Sequence, residues 1–266
     1  MNWIVRPAIY RAIRTRLFVQ SSMPKSASRF LRKVMEETSI NGGAFLQPKI
    51  TLGYGHNFLE TRKVKLMPGR GRIFRLYGHT PLTEFNHRTL HSIDPRFVSV
   101  ITIRPLPDIV VSYADHIRKY GLGPLDTRVK GAVEGNPFFN TLNDEQMYQY
   151  LIDFVMPWFS RYMASWLNWE QSGRLLIVRF DDIKNRPSET VSEIFEFSKR
   201  NGIDFRRKAA IGTDVVENFN QGLSGRGREL LTEGQIGQLR RQSSFLAGFK
   251  NGPEIVDYLI EGELAL

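Results

Sequence analysis

Leu17-Phe18-Val19-Gln20-Ser21-Ser22-Met23-Pro24-Lys25-Ser26-Ala27-Ser28-Arg29-Phe30-Leu31 begins with four residues that read as the end of a buried strand. It closes on a helix, because Phe30, Leu31, Val34 and Met35 follow Ser28 at helical spacing. Between strand and helix lies a short polar loop. A strand, a tight loop and a helix N-terminus form a cradle for an anion, since backbone N–H groups and the helix dipole both face it. Lys25 adds a mobile full charge, and Ser26 and Ser28 add donors. The pattern G-x-x-x-x-G-K-[ST] is absent, so the loop is not a Walker A loop. The same residues also fit an ordinary strand–loop–helix turn with a solvated lysine.

Further along, Phe97 to Ile103 is a β-branched run and reads as a second buried strand. It leads through Arg104-Pro105-Leu106-Pro107 into a helix from about Asp108 to Tyr120. Leu175-Leu176-Ile177-Val178-Arg179-Phe180 is a third such strand, and Arg72 to Tyr77 a shorter one that ends at Gly78-His79-Thr80-Pro81. Helical patterns fill the intervals. One runs from Met147 to Trp169 with an expected break at Pro157, and its aromatics read as core. Another begins near Asn185 with Pro187 in its first turn and closes at Gly202. A capping box at Thr232-Glu233-Gly234-Gln235 opens what reads as the last helix. Pro7 to Arg14 reads as a short basic amphipathic helix that docks on the domain or touches a membrane surface. Residues 44–70 and 121–146 are loop-rich, the second with four glycines and two prolines.

Strands alternating with helices, with no composition break or repeat, imply one α/β domain over residues 1–266. Its expected form is a three-layer sandwich with a mostly parallel central sheet flanked by helices. In such folds ligands gather at the carboxyl ends of the strands. Three strand ends carry polar groups: the Lys25 cradle, His79, and Arg104 with Ser112 and His116 one turn apart on the following helix. Taken singly, His79 fits a solvated loop, Arg104 a surface charge and Ser112 a packing residue.

The net charge of +10 is uneven. Residues 1–75 hold fifteen Lys and Arg against three Asp and Glu, which favours anionic partners. There is no cysteine, which excludes disulfides and thiolate chemistry. No apolar run approaches the roughly 20 residues of a membrane span, and the N-terminus lacks a signal-peptide core. The expectation is a cytoplasmic protein with peripheral membrane contact at most. No nucleic-acid-binding module is recognisable, so no nucleic-acid partner is expected.

Pro24-Lys25-Ser26-Ala27-Ser28-Arg29-Phe30 resembles the 5′-phosphosulfate loop Pro-Lys-Ser-Gly-Thr-Thr-Trp of sulfotransferases that use 3′-phosphoadenosine 5′-phosphosulfate (PAPS). Val98 to Tyr113 is similar to that family's 3′-phosphate motif, whose Arg and Ser fall on Arg104 and Ser112. Leu76 to Leu82 resembles the segment that carries the catalytic base, which falls on His79. Val178 to Ile183 is similar to the family's Arg-Tyr-Glu-Asp-Leu, placing Phe180 near an adenine, with Phe30 where a tryptophan often stacks on that ring. Gly222 to Thr232 resembles the late glycine-rich 3′-phosphate loop. Together these segments span about residues 17 to 232 in the family order.

The chain departs from that pattern in three places. Ala27 replaces a glycine, which makes a positive φ costly there. Leu106 stands where an aspartate is usual, a change expected to cost only a structural contact. Asn220-Gln221 replaces Arg-Lys, so Arg226 and Arg228, flanking Gly227, are expected to take over, the alternative being that both are solvated.

The resemblance implies a P-loop-like fold and a PAPS-dependent sulfotransferase that needs no metal. Pro24, Lys25, Ser26, Ala27, Ser28, Arg29 and Phe30 would hold the donor with Arg104, Ser112, Phe180, Arg226, Gly227 and Arg228. His79 would be the general base and Lys25 the charge on the leaving 5′-phosphate. His56, His87 and His91 are rival bases. The acceptor is expected to be a hydroxyl, with a glycan or glycolipid favoured, and Tyr54, Phe58, Phe138 and Phe139 as candidate pocket walls. Two other classes remain open: a P-loop kinase using ATP–Mg²⁺, and a non-catalytic binder of RNA or anionic membrane.

Overall fold

The computed structural model describes residues 16–36, 38–39, 45–46, 73–120, 138–170, 173–207 and 224–262. The expected helix at Pro7 to Arg14, His56, Tyr54, Phe58 and Asn220-Gln221 lie outside them. Five parallel strands form the central sheet in the order β3-β4-β1-β5-β6. They are β1 (Arg16–Ser22), β3 (Phe45–Leu46), β4 (Ile73–Gly78), β5 (Val98–Ile103) and β6 (Leu175–Arg179). A small antiparallel pair, β2 (Thr38–Ser39) and β7 (Arg206–Arg207), sits apart from it.

The strands alternate between two cores, as the pleat demands. Leu17 and Val19 of β1, Ile101 and Ile103 of β5 and Leu175 of β6 face one cluster. Phe18, Val98, Val100 and Val178 face the other. The first cluster is closed by α2 (Glu84–Ile93), α3 (Leu106–Tyr120), α4 (Asp144–Phe154), α5 (Met156–Glu170), α9 (Glu233–Ser243) and α10 (Gly252–Glu261). The second is closed by α1 (Ser28–Glu36) and α7 (Pro187–Arg200). Two short helices, α6 (Phe180–Asn185) and α8 (Arg226–Leu230), complete the set. This is the three-layer α/β sandwich that the alternation of strands and helices implies.

Several local readings change. The pattern from Met147 to Trp169 is two helices, α4 and α5, that meet at Val155. Pro157 lies in the first turn of α5, where its missing N–H costs nothing; further inside a helix its ring would clash with the carbonyl four residues back. The capping box at Thr232 and Gln235 is present, but α9 is not the last helix, because α10 follows it. Helix α2, capped by the Thr83 side chain on the Asn86 N–H, was not expected from its sparse apolar pattern. Phe139 is a core residue rather than a pocket wall, whereas Phe138 is exposed. Among the described residues, no helix is long and apolar enough to cross a membrane.

Consecutive connections leave the sheet in opposite directions at its middle. After β1 the chain passes through α1 toward β3 and β4; after β5 it passes through α3 toward β6, on the other face. The carboxyl ends of β1 and β5 therefore flank a topological switch point, where the loops part and leave a crevice.

Candidate functional site

The cradle after β1 is held from within. Met23 donates its N–H to the Thr102 carbonyl at 2.8 Å, which binds the loop to β5. The Ser26 hydroxyl is fully buried and contacts Met23 O, Thr102 O at 3.1 Å and Thr102 Oγ1 at 2.7 Å. The Ser26 side chain, expected as a donor to a bound anion, serves in this structure as an internal staple. Pro24 is buried beside it, while Ala27 and Ser28 are half-buried at the opening of α1, and Arg29 takes helical backbone in the first turn.

Lys25 and Ala27 adopt φ of 67° and 63°, on either side of the stapled serine. The left-handed region costs an L-residue roughly 1–2 kcal/mol. The loop keeps this shape because its neighbours fix it, a form of strain that gathers at functional sites. Ala27→Gly relieves that cost but adds roughly 0.5–1 kcal/mol of unfolded-chain entropy. A net gain of roughly 0–1.5 kcal/mol is expected from these two terms, at roughly 2–4 °C in Tm per kcal/mol for a chain of this size. Thermal unfolding of the variant checks this, and a clear fall in Tm would contradict it.

Arg104 stands at the end of β5 and is 9% exposed. It donates to the Lys25 carbonyl at 3.1 Å, lies with its guanidinium carbon 4.3 Å above the Phe180 ring, and stays 3.7 Å from Asp108. Burial pushes its pKa down, and the carboxylates of Asp108 and then Asp181 pull it back up. A guanidinium so placed remains charged. Phe180, expected near an adenine, is buried, and its ring supports the Arg104 guanidinium. Phe30, expected to stack on that adenine, is packed in the core with Phe18 and Val34.

Lys25, Arg104, Ser112, Asp115, His116 and Arg226 line one cleft of about 480 Å³ beside α3. The Lys25 Nζ lies 5.3 Å from the centre of the Tyr113 ring. Arg226 is held to Asp115 at 2.6 Å and so faces this cleft. Arg228 is held by Glu261 in a second cleft with Lys184 and Asn185. The structure therefore brings Arg226 to Lys25, Arg104 and Ser112, and leaves Arg228 apart.

Two buried carboxylates tie the late loop to the strand ends. Asp108 accepts from the N–H of Gly225 at 3.1 Å and of Gly227 at 2.8 Å. Asp181 accepts from the Ser224 hydroxyl at 2.6 Å and from the Tyr258 hydroxyl at 3.0 Å. A Cβ on Gly227 would fall 2.2 Å from the Pro107 carbonyl carbon, so only glycine allows this approach. The N–H of Gly227, expected among the donor-binding groups, is given to Asp108. Sequence reasoning gave Asp108 and Asp181 no role; the available signal was an aspartate inside each apolar motif.

His79 follows β4 directly. Its Nδ1 lies 2.6 Å from the Ser22 carbonyl, the last residue of β1 before the cradle. A carbonyl can only accept, so Nδ1 carries the proton and the neutral ring has its lone pair on Nε2. The rival His87 packs against Trp169 and Phe97, at the amino end of β5, and burial followed by the His91 charge pushes its pKa down. Both lie on α2, outside the cleft. Among the described residues, no cluster of His, Asp and Glu is arranged to hold a metal.

A family model described as a sulfotransferase domain matches residues 20–211. No curated protein matches. Among solved structures, mouse sulfotransferase SULT7A1 complexed with PAP is 15% identical and has a TM-score of 0.59, over 92% of this chain and 89% of its own. A sulfotransferase from Alicyclobacillus acidocaldarius is 13% identical, with a TM-score of 0.45 over 93% of this chain and 96% of its own. The mouse protein shares the fold.

Proposed function

The chain belongs to the sulfotransferase domain family, and from that membership we propose that it moves a sulfuryl group from PAPS to an acceptor hydroxyl with His79 as base. Transfer of a sulfuryl group is the activity of the family. The convergence of Lys25, Arg104, Ser112 and Arg226 on one cleft at the switch point carries the reading for this chain. Lys25 and the amides opening α1 hold the 5′-phosphate and its growing charge. Arg104, with the Ser112 hydroxyl and Arg226, takes the 3′-phosphate, for which a rigid fork suits better than a point charge. The donor, when bound, supplies the sulfuryl group and leaves as 3′,5′-adenosine bisphosphate. His79 receives the acceptor proton at Nε2, while its Nδ1–H keeps the ring aimed through Ser22.

The acceptor in this reading is a glycan or glycolipid hydroxyl, favoured by the excess of Lys and Arg in residues 1–75. One domain spans the chain and works in the cytoplasm. Thermal shift tests the donor site. 3′,5′-Adenosine bisphosphate without metal is expected to raise Tm, by about 2.7 kcal/mol of stability at a hundredfold excess over Kd. ATP–Mg²⁺ and single-stranded RNA are expected to give no comparable shift. Stabilisation by ATP–Mg²⁺ alone would point to a kinase, and by RNA alone to a non-catalytic binder.

A further inference from the structure

Strand β4 leaves the ladder at Gly78, which is paired with Ser21, so the backbone of Thr80 enters the interior beyond the last ladder position. Buried amide groups left without partners are strongly unfavourable. One side chain satisfies both. The Ser21 hydroxyl donates to the Thr80 carbonyl at 2.9 Å and accepts the Thr80 N–H at 3.1 Å. Its proton is thereby assigned, so the Tyr162 hydroxyl, 2.8 Å away, is the donor in their contact. Trp166 Nε1 donates to the second lone pair of the Thr80 carbonyl at 3.2 Å. Tyr162 and Trp166 are one turn apart on α5, and Ser21, Thr80, Tyr162 and Trp166 are each no more than 3% exposed.

His79 therefore lies between two fixed residues, Gly78 in the ladder and Thr80 in this clamp, while its ring is tied to Ser22. Three consecutive residues at the end of β1 and just beyond it act together: the Ser21 hydroxyl holds the backbone, the Ser22 carbonyl holds the ring, and Met23 begins the cradle. The base and the phosphate loop thus share a single rigid support.

We propose that Ser21 and Tyr162 are positioning residues for the base, fixing the tautomer and aim of His79 through the Thr80 backbone. This rests on the reading of His79 as base. Without the Tyr162 proton, the Ser21 hydroxyl loses one of its three contacts and can rotate. Thr80 then shifts, and the Nδ1–Ser22 contact that holds the lone pair on Nε2 loosens. A displacement near 1 Å in a catalytic geometry costs on the order of a hundredfold.

The test uses the full chain with isotope-labelled histidine, where five rings are few enough to resolve. Nitrogen shifts of His79 report its tautomer directly, with and without 3′,5′-adenosine bisphosphate. The wild type is expected to show a single neutral form protonated at Nδ1. Tyr162→Phe, which removes one oxygen, is expected to show both tautomers. Transfer from sulfur-labelled PAPS to an acceptor from a lysate should fall on the order of ten- to a hundredfold, with bisphosphate affinity unchanged. Ser21→Ala should do the same, and Tyr162→Phe decides if that variant fails to fold. A wild-type tautomer with wild-type transfer in Tyr162→Phe overturns the proposal, as does an equal loss of transfer and bisphosphate binding. His79→Ala, run alongside, separates the two readings. Full transfer there removes the base assignment itself; a dead His79→Ala beside a fully active Tyr162→Phe removes only the clamp.

Discussion

Replacing His79 with alanine is expected to abolish sulfuryl transfer and to leave 3′,5′-adenosine bisphosphate bound as tightly as in the wild type. The ring makes its hydrogen bond to Ser22 O at the strand end, and the cleft that gathers Lys25, Arg104 and Ser112 does not count His79 among its walls. A positioned base contributes on the order of 10²–10⁴ in rate, and it acts on the acceptor proton while touching the nucleotide little. Lys25→Ala should behave differently and lose both transfer and binding, since the proposed site sets its charge against the donor's 5′-phosphate. Incorporation of labelled sulfur, set beside calorimetry with the bisphosphate, checks the pair. Wild-type transfer in His79→Ala would assign the base elsewhere, with His116 in the cleft the first candidate.

What the sequence revealed and what it hid follow from the range of the forces involved. The turn from β1 into α1 was legible because a buried apolar run, a polar loop and a helical pattern are local events. The cost of Ala27 was legible too, as a steric rule of one residue; that the loop accepts it, with φ of 63°, depends on Thr102 of another strand. Ser26 reads as a free donor until β5 arrives beside it and turns the hydroxyl inward. Phe30 and Phe180 were placed by analogy with aromatic positions that stack on a base, yet here the core takes one and Arg104 covers the other. Helix α2 escaped because its apolar residues are few and its N-cap, Thr83, gives a one-residue signal. Asp108 and Asp181 acquire their roles only across separations such as that from Asp108 to Gly227, which no local pattern encodes.

That same long-range strapping bears on the proposed 3′-phosphate site, where the sequence has Asn220-Gln221 in place of the Arg-Lys of the motif it resembles. Arg104→Lys keeps a positive charge but removes the fork that reaches the Lys25 carbonyl and the flat face that lies on Phe180. An ammonium on a flexible stem cannot keep both contacts while binding a phosphate. Charge-assisted hydrogen bonds are each worth roughly 1.5–3 kcal/mol, so loss of a two-pronged contact should weaken 3′,5′-adenosine bisphosphate by about a hundredfold or more. Adenosine 5′-phosphate, which has no 3′ group, should lose little. Arg226→Ala should show the same selectivity to a smaller degree, because Asp115 already shares its guanidinium. Arg228→Ala should leave both nucleotides unaffected, since Glu261 holds that side chain in the other cleft. Calorimetry with the two nucleotides on the three variants decides among these outcomes. A selective loss in Arg228→Ala, or equal losses for both nucleotides in Arg104→Lys, would show that the 3′-phosphate lies elsewhere than against Arg104.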